Sequence, residues 1–418
     1  MGFNVTHQKI NFSLAYYSGD RKTGSITVVE RVNGETTQMN IEVMPESTDH
    51  DKSKAIFIGL TSDKNVVLLD PETKGLLFKS HFPADAFAAH KYSDNNTNRS
   101  WFMNDGDKAT GNDTLNCGNN GSSVTVIENT DTHEAKYLKT ICVGRGHHQA
   151  NFSFPSVEHP DTPKQAYISN LKDGTVSVID NDPDHNDTYL TVIETIVLFE
   201  PEKEEGSDSV PNNSFPHGLV FSSVSGKVYN LNNGYGTIAI INPKTHQIEQ
   251  RIKFKGHSNL FMSPCGRYVI GRGADRKSDA NHVVAKLTVL DVTNNEIVDS
   301  VNIPDIYISK YFFNPEGSRL YLTTSSSGSD EQKANLKTDA LLVYDMSALP
   351  KIKRINEVRL GSSSGTLDFA QQDDETQLMF SSNAAEGAIA VMDKDGHLLE
   401  KITVGESMAH SRLWMINN

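Results

Sequence analysis

The chain has 418 residues, with 39 Lys and Arg against 53 Asp and Glu, 15 His, and a formal net charge of -14; 37% of it is hydrophobic. No stretch approaches the ~20 apolar residues that a membrane-spanning helix needs, and the acidic balance has the wrong sign for a general grip on nucleic-acid phosphates. Three cysteines, Cys117, Cys142 and Cys265, are too few and too scattered for a disulfide scaffold or a thiolate zinc site, and no Cys-x-x-Cys-His stretch offers covalent c-type haem.

The segment Met1-Gly2-Phe3-Asn4-Val5 has neither a basic nor an apolar leader. It implies a cytoplasmic protein if this start is natural, and a periplasmic or extracellular one if a signal peptide has been removed.

In chain order, one pattern recurs at intervals of roughly 40 to 60 residues: a β-branched alternating run that ends at an acidic or amide residue. It occurs at Ser25–Glu30, Asn65–Asp70, Ser123–Glu128, Thr175–Asp180, Thr237–Asn242, Leu287–Asp291, Leu341–Asp345 and Ala388–Asp393. A second strand precedes these runs, as at Ala166–Asn170, Lys227–Leu231, Tyr268–Gly271 and Leu320–Thr323. Turn residues such as Lys172-Asp173-Gly174 and Gly234-Tyr235-Gly236 separate the two. Period-two alternation with dense Gly, Asn and Asp punctuation predicts antiparallel β-structure, and sustained helical periodicity is absent.

The pattern predicts an all-β protein, a seven- or eight-bladed β-propeller of four-stranded blades, with residues 1–418 as a single domain. Eight units can be counted, the second compressed around Pro45 to Lys54. The last strand, Ser411–Ile416, has no hairpin partner, and the first hairpin lacks an inner strand. The C-terminal strand is therefore expected to complete the first blade, so that no sheet edge stays open.

The segment Tyr167-Ile-Ser-Asn-Leu-Lys-Asp-Gly-Thr-Val-Ser-Val-Ile-Asp180 resembles the YVTN-type repeat, in which a Tyr-Val-Thr-Asn strand leads through Asp-Gly to a Val-Ser-Val-Ile-Asp strand. The resemblance implies a propeller of the YVTN and cytochrome d1-like kind. Such propellers serve as binding platforms, cofactor-bearing enzymes and surface-layer modules, so the fold leaves the function open.

Function in a propeller concentrates where equivalent positions of the inner strands converge. Aligned on the glycine that follows them, Pro216-His217-Gly-Leu-Val-Phe and Gly256-His257-Ser-Asn-Leu-Phe match without gaps, and Ala409-His410-Ser-Arg-Leu-Trp fits the second. His147-His148-Gln-Ala-Asn-Phe fits with His148 in the slot, and Ala89-His90-Lys fits with a shift of one residue; Ile308 and Thr366 occupy the slot in two other blades. A ring of neutral imidazoles is a good ligand set for copper, iron or zinc. Two other readings stand beside the metal site: histidines that bond within their own blade, and a metal-free acid/base or anion pocket.

The histidine set is similar to that of the copper propellers nitrous oxide reductase and thiocyanate dehydrogenase, which carry axial histidines from several blades and an adjacent His-His pair. That resemblance implies a copper site with His147-His148 as the pair and His90, His217, His257 and His410 as single contributions. This chain lacks the cupredoxin domain of nitrous oxide reductase and an export signal. Iron stays open by similarity to the carotenoid-cleaving propellers, and haem d1 by similarity to the d1 propellers. Arg145, Lys310 and Asp368 lie near the slot and are candidate partners of the histidines or of an anionic substrate. The resulting expectation is a copper- or iron-dependent oxidoreductase acting on a small molecule at a histidine-lined axial channel, served by an electron-transfer partner. The alternative is a non-catalytic propeller that binds a protein or ligand, its histidines structural.

Overall fold

The chain forms a β-propeller. The computed structural model describes residues 10–19, 24–42, 56–60, 66–69, 76–80, 87–105, 117, 121–129, 135–146, 149–205, 210–360, 364–371, 377–383, 386–405 and 411–417. Among these, eight antiparallel sheets follow one another along the chain. They span Phe12–Glu42, Ile56–Ser80, Phe87–Val143, Ala150–Val197, Pro216–Lys253, Asn259–Pro304, Ile308–Arg359 and Ser364–Thr403. Seven have four strands, and the second, where the sequence is compressed, has three. The strand Ser411–Asn417 pairs with Phe12–Gly19, Leu14 opposite Met415 and Tyr16 opposite Leu413, and so completes the first sheet as expected.

The recurring runs are the third strands. Thr175–Asp180 and Thr237–Ile241 are buried at every residue, whereas the fourth strands Val192–Val197 and Ile248–Lys253 are largely exposed. Period-two strands with both faces covered read as continuous apolar runs, which is why these segments stood out. In several sheets the residue that ends the run caps the next turn. The backbone N–H groups of Asp182, Thr293, Ser347 and Asp395 donate to Asp180, Asp291, Asp345 and Asp393 at 3.1, 2.9, 3.0 and 2.9 Å.

The Tyr and Asn of the repeat also have structural work. Tyr167, Tyr229 and Tyr321 are each fully buried. The Tyr229 hydroxyl donates to Asn295 Oδ1 at 3.1 Å and that of Tyr321 to the Lys394 carbonyl at 2.6 Å, each reaching the following sheet. Asn170 Nδ2 donates to Thr175 Oγ1 and Ser177 Oγ, and Asn104 Nδ2 does the same to Ser123 and Thr125.

The sheets divide into two compact units. One comprises Met1–Ser80, Asp275–Ala285 and Asn302–Asn418; the other comprises His81–Ala274 and Lys286–Val301. In the first unit, Phe12, Leu14, Tyr16, Phe380 and Leu413 form one core cluster, with the rings of Phe12 and Phe380 4.7 Å apart, and Tyr321, Leu341, Phe369 and Met379 form another. In the second unit, three clusters centre on Trp101 with Phe152, Tyr167 with Phe221, and Tyr229 with Phe254. Each is built from two consecutive sheets, and each large side chain contributes about 1.5–3 kcal/mol on burial. Among the described residues, no helix is long and apolar enough to cross a membrane.

One covalent feature was not anticipated. Cys117 and Cys142 form a disulfide, their Cα atoms 5.2 Å apart, which ties residue 117 to the strand Ala135–Val143. Three cysteines make no scaffold, yet two of them make a bridge.

Candidate functional site

The histidines must be placed by strand register. In the third, fifth and sixth sheets, a four-residue turn joins the first two strands, between Asp94 and Arg99, Ser222 and Lys227, and Ser263 and Tyr268. Counted back from those turns, His90 stands four residues before Asp94, His217 five before Ser222, and His257 six before Ser263. By pairing, His90 and the His217-Gly218 bulge stand at one level, opposite Met103 and Leu231, whereas Asn259 holds that level in the sixth sheet and His257 lies two residues before it.

Two of these first strands are bulged. In the third sheet Ala88 pairs with Asn104 but His90 with Met103, leaving Ala89 extra; in the fifth, Pro216 pairs with Asn232 and Leu219 with Asn230, so that His217 and Gly218 face one residue. The sixth sheet pairs regularly, Asn259 with Arg272 and Leu260 with Gly271. A bulge re-aims the side chains beside it, and an offset of one residue in a strand reverses the face a side chain takes.

His257 accordingly enters its own blade. It is 4% exposed and stacked on Phe254, ring centroids 4.0 Å apart. Its Nδ1 lies 3.3 Å from the Phe254 carbonyl and its Nε2 2.8 Å from the Thr288 hydroxyl. A neutral ring satisfies both, donating from Nδ1 and accepting at Nε2. Burial, the main cause, pushes this imidazole down to about 4. Gly273 makes room for the arrangement: a Cβ there would lie 2.0 Å from the Gly256 carbonyl oxygen and 2.6 Å from the His257 Cα. With both nitrogens occupied inside the blade, this geometry matches the structural-histidine alternative and not that of a ligand.

His217 differs. It is half-buried, and its Nδ1 donates to the Ser258 carbonyl of the next sheet at 2.8 Å. In the neutral ring that bond places the proton on Nδ1. The adjoining Gly218 has φ +145°, and a Cβ on it would meet the Leu260 nitrogen at 2.8 Å, so the bulge that carries His217 requires glycine. His90 is also half-buried, its ring 6.4 Å from that of Tyr92. His147, His148 and His410 lie outside the described residues. Among the described residues, no group of three His, Cys, Asp or Glu side chains is gathered to hold a metal. Among the described donors, His257 has both ring nitrogens bonded within its blade, and His217 bonds the Ser258 carbonyl through Nδ1.

No protein-family model matches the chain, and no curated protein matches it. Solved structures do. A dihydro-haem d1 dehydrogenase, NirN, superposes with a TM-score of 0.56 at 11% identity, over 85% of this chain and 65% of that one. The Pseudomonas aeruginosa periplasmic gluconolactonase PpgL gives 0.56 at 10% identity, over 98% of this chain and all of its own. A Lactobacillus plantarum protein gives 0.51 at 12%, over 97% of this chain. The likeness is one of fold. The chain spans about two thirds (65%) of the NirN chain's length.

The other candidates near the slot take mainly structural bonds. Arg145 clamps the turn of the fourth sheet, its backbone N–H and its Nε each donating to Asp173 at 2.7 Å. Lys310 lies in another bulge, between the pairs Ile308 with Thr324 and Tyr311 with Leu322; its backbone N–H donates to Thr323 Oγ1 at 3.2 Å, and its side chain is exposed. Asp368 accepts the backbone N–H groups of Phe369 and Met415 at 2.9 and 2.8 Å. Burial raises its carboxyl above the usual range, against the effect of those two donors. Sequence reasoning missed Thr288, the partner of His257, because it stands within an apolar run legible only as a strand.

Proposed function

We propose that this propeller carries a copper- or iron-dependent site of the oxidoreductase class, acting on a small molecule, with His217 as its anchoring ligand. The observation that carries the reading is the Nδ1 bond of His217 to the Ser258 carbonyl, on a glycine-dependent bulge, which is the kind of second bond that metal-ligating imidazoles make. His90, His147, His148 and His410 are its proposed companions, and His257 is left out because its nitrogens are already used. The bound metal would exchange electrons with the substrate or polarise it. The protein's part is to hold the imidazoles neutral, fix their direction and limit water. Haem d1 is a second candidate cofactor, in keeping with the propeller neighbour described as a dihydro-haem d1 dehydrogenase. An electron-transfer protein is the proposed partner. The Cys117–Cys142 disulfide and the periplasmic propeller neighbour support a location outside the reducing cytoplasm.

The test is metal analysis of native, untagged protein beside His217→Ala and His257→Ala. Near-stoichiometric copper or iron, lost in the first variant and retained in the second while both stay folded, is the expected result. No metal in the native protein and none on reconstitution would overturn the reading. The second reading, a ligand-binding propeller with structural histidines, would then hold; the closed bonding of His257 already favours it at one position.

A further inference from the structure

The third and fourth sheets enclose a cavity of about 390 Å3, lined by Asp94, Arg99, Ser153, Phe154, Lys164 and Asn181 among others. Its volume falls in the range of small-molecule sites. Its charge arrangement is unusual. Arg99 is 4% exposed, and its recorded hydrogen bonds come only from Nη1, to the carbonyl and the side-chain Oδ1 of Asn181 at 3.2 and 2.5 Å. Its Nε is buried with no hydrogen-bond partner. The guanidinium lies over the Tyr189 ring, 5.1 Å from the centroid.

Two carboxylate residues flank it in register, Asp94 on one neighbouring strand and Glu128 on the other, and neither forms an ion pair with it. Asp94 accepts from the Asn96 backbone N–H at 3.1 Å, from the Thr97 hydroxyl, and from Asn181 Nδ2 at 2.8 Å. Asn181, itself 1% exposed, thus stands between the two charges, accepting from one and donating to the other. At the rim, Lys164 is engaged by Asp182 at 3.2 Å. The Arg99 Nε is left unbonded, and the fork geometry of a guanidinium suits a carboxylate bidentately.

We propose that this cavity binds a small organic monocarboxylate, its carboxylate on the Arg99 guanidinium and its apolar body along Phe154 and Pro155. The ligand bonds the part of the guanidinium that no side chain of the site bonds, and Asn181, held between them, keeps Asp94 from taking that place. This site does not depend on the metal reading.

The probe is benzoate, titrated by saturation-transfer NMR against the full chain, with benzyl alcohol as the uncharged control and inorganic phosphate as the generic anion. Saturable binding of benzoate but not of benzyl alcohol is expected, weakened about tenfold or more by Arg99→Lys, which keeps the charge and loses the fork. Pro183→Trp, an exposed substitution at the cavity wall, is expected to abolish it with an unchanged circular dichroism spectrum. If Arg99→Lys fails to fold, the Pro183 variant decides alone. Three results would overturn the proposal: no benzoate binding, equal binding of benzyl alcohol, or binding that survives the variants that fold. Displacement of benzoate by phosphate at equal concentration would overturn the carboxylate class.

Discussion

Asp368 Oδ2 accepts the backbone N–H of Met415 at 2.8 Å, so a carboxylate of the last sheet holds the strand that completes the first. Asn151 makes the same contact with the Phe221 N–H, also at 2.8 Å, between the fourth and fifth sheets. The two acceptors share one register position, Asn151 opposite Tyr167 and Asp368 opposite Phe380, three residues before Asn170 and Asn383.

Replacing the acid by its amide should therefore stabilise the protein at neutral pH. Burial raises the native carboxyl of Asp368, so its stabilising contribution is complete below the unfolded value of 3.8 and is lost as pH rises through the native one. Asp368→Asn keeps an acceptor for Met415, as Asn151 does for Phe221, and removes the cost of a buried charge. Thermal melts should place the variant above wild type at pH 7, with the gap closing towards pH 4. A variant that melts lower at pH 7 would show that the anion is favourable in place.

His257 should make the protein acid-sensitive. Its imidazole, depressed from 6.5 to about 4 by burial, favours the folded state fully above pH 6.5 and loses that contribution as pH falls towards 4. The loss amounts to about 3 kcal/mol. Urea unfolding at pH 7, 5 and 4 should show it in wild type and not in His257→Phe, which should itself be less stable at pH 7 by about 1 kcal/mol as the Thr288 hydroxyl loses the imidazole and keeps Ser300. Parallel pH slopes in the two proteins would contradict the closed-ring description.

Thiol titration checks the bridge. Native protein should react at one cysteine, the exposed Cys265, and unfolded, reduced protein at three. Cys117→Ser with Cys142→Ser should lower stability by roughly 3 kcal/mol, since the bridge closes a loop 25 residues long. Three reactive thiols in the unreduced protein would refute it.

Tyr321→Phe removes only the hydroxyl that donates to the Lys394 carbonyl. It should cost about 1 kcal/mol in chemical denaturation, without change in fold. A neutral substitution would mean that solvent replaces the bond.

The blades were legible because each third strand is apolar on both faces and ends at a residue such as Asp180 or Asp393 that caps its own turn. The closing strand was legible as an unpaired strand at one end of the pattern and a missing one at the other. The histidine slot was legible only in part. Matching Gly226 to Gly266 aligned residues that stand fourth and third in their turns, an error of one. Bulges at Ala89 and at His217-Gly218 add a residue without altering the apolar rhythm, so no pattern in the sequence reports them. The cavity beside Arg99 was not legible at all. Asn181, more than eighty residues further along the chain, bonds both Arg99 and Asp94, and no pattern in the strands reports an arginine side chain left partly unbonded.

The pairing of Leu14 with Met415 has a consequence for biosynthesis. A growing chain cannot seal its first sheet until synthesis has passed residue 411, by which time every other sheet has been made. Until then the strand Phe12–Gly19 presents an open edge and the apolar side chains Phe12 and Leu14 to its surroundings. A chain interrupted before that strand is made would thus keep an edge open to intermolecular strand pairing.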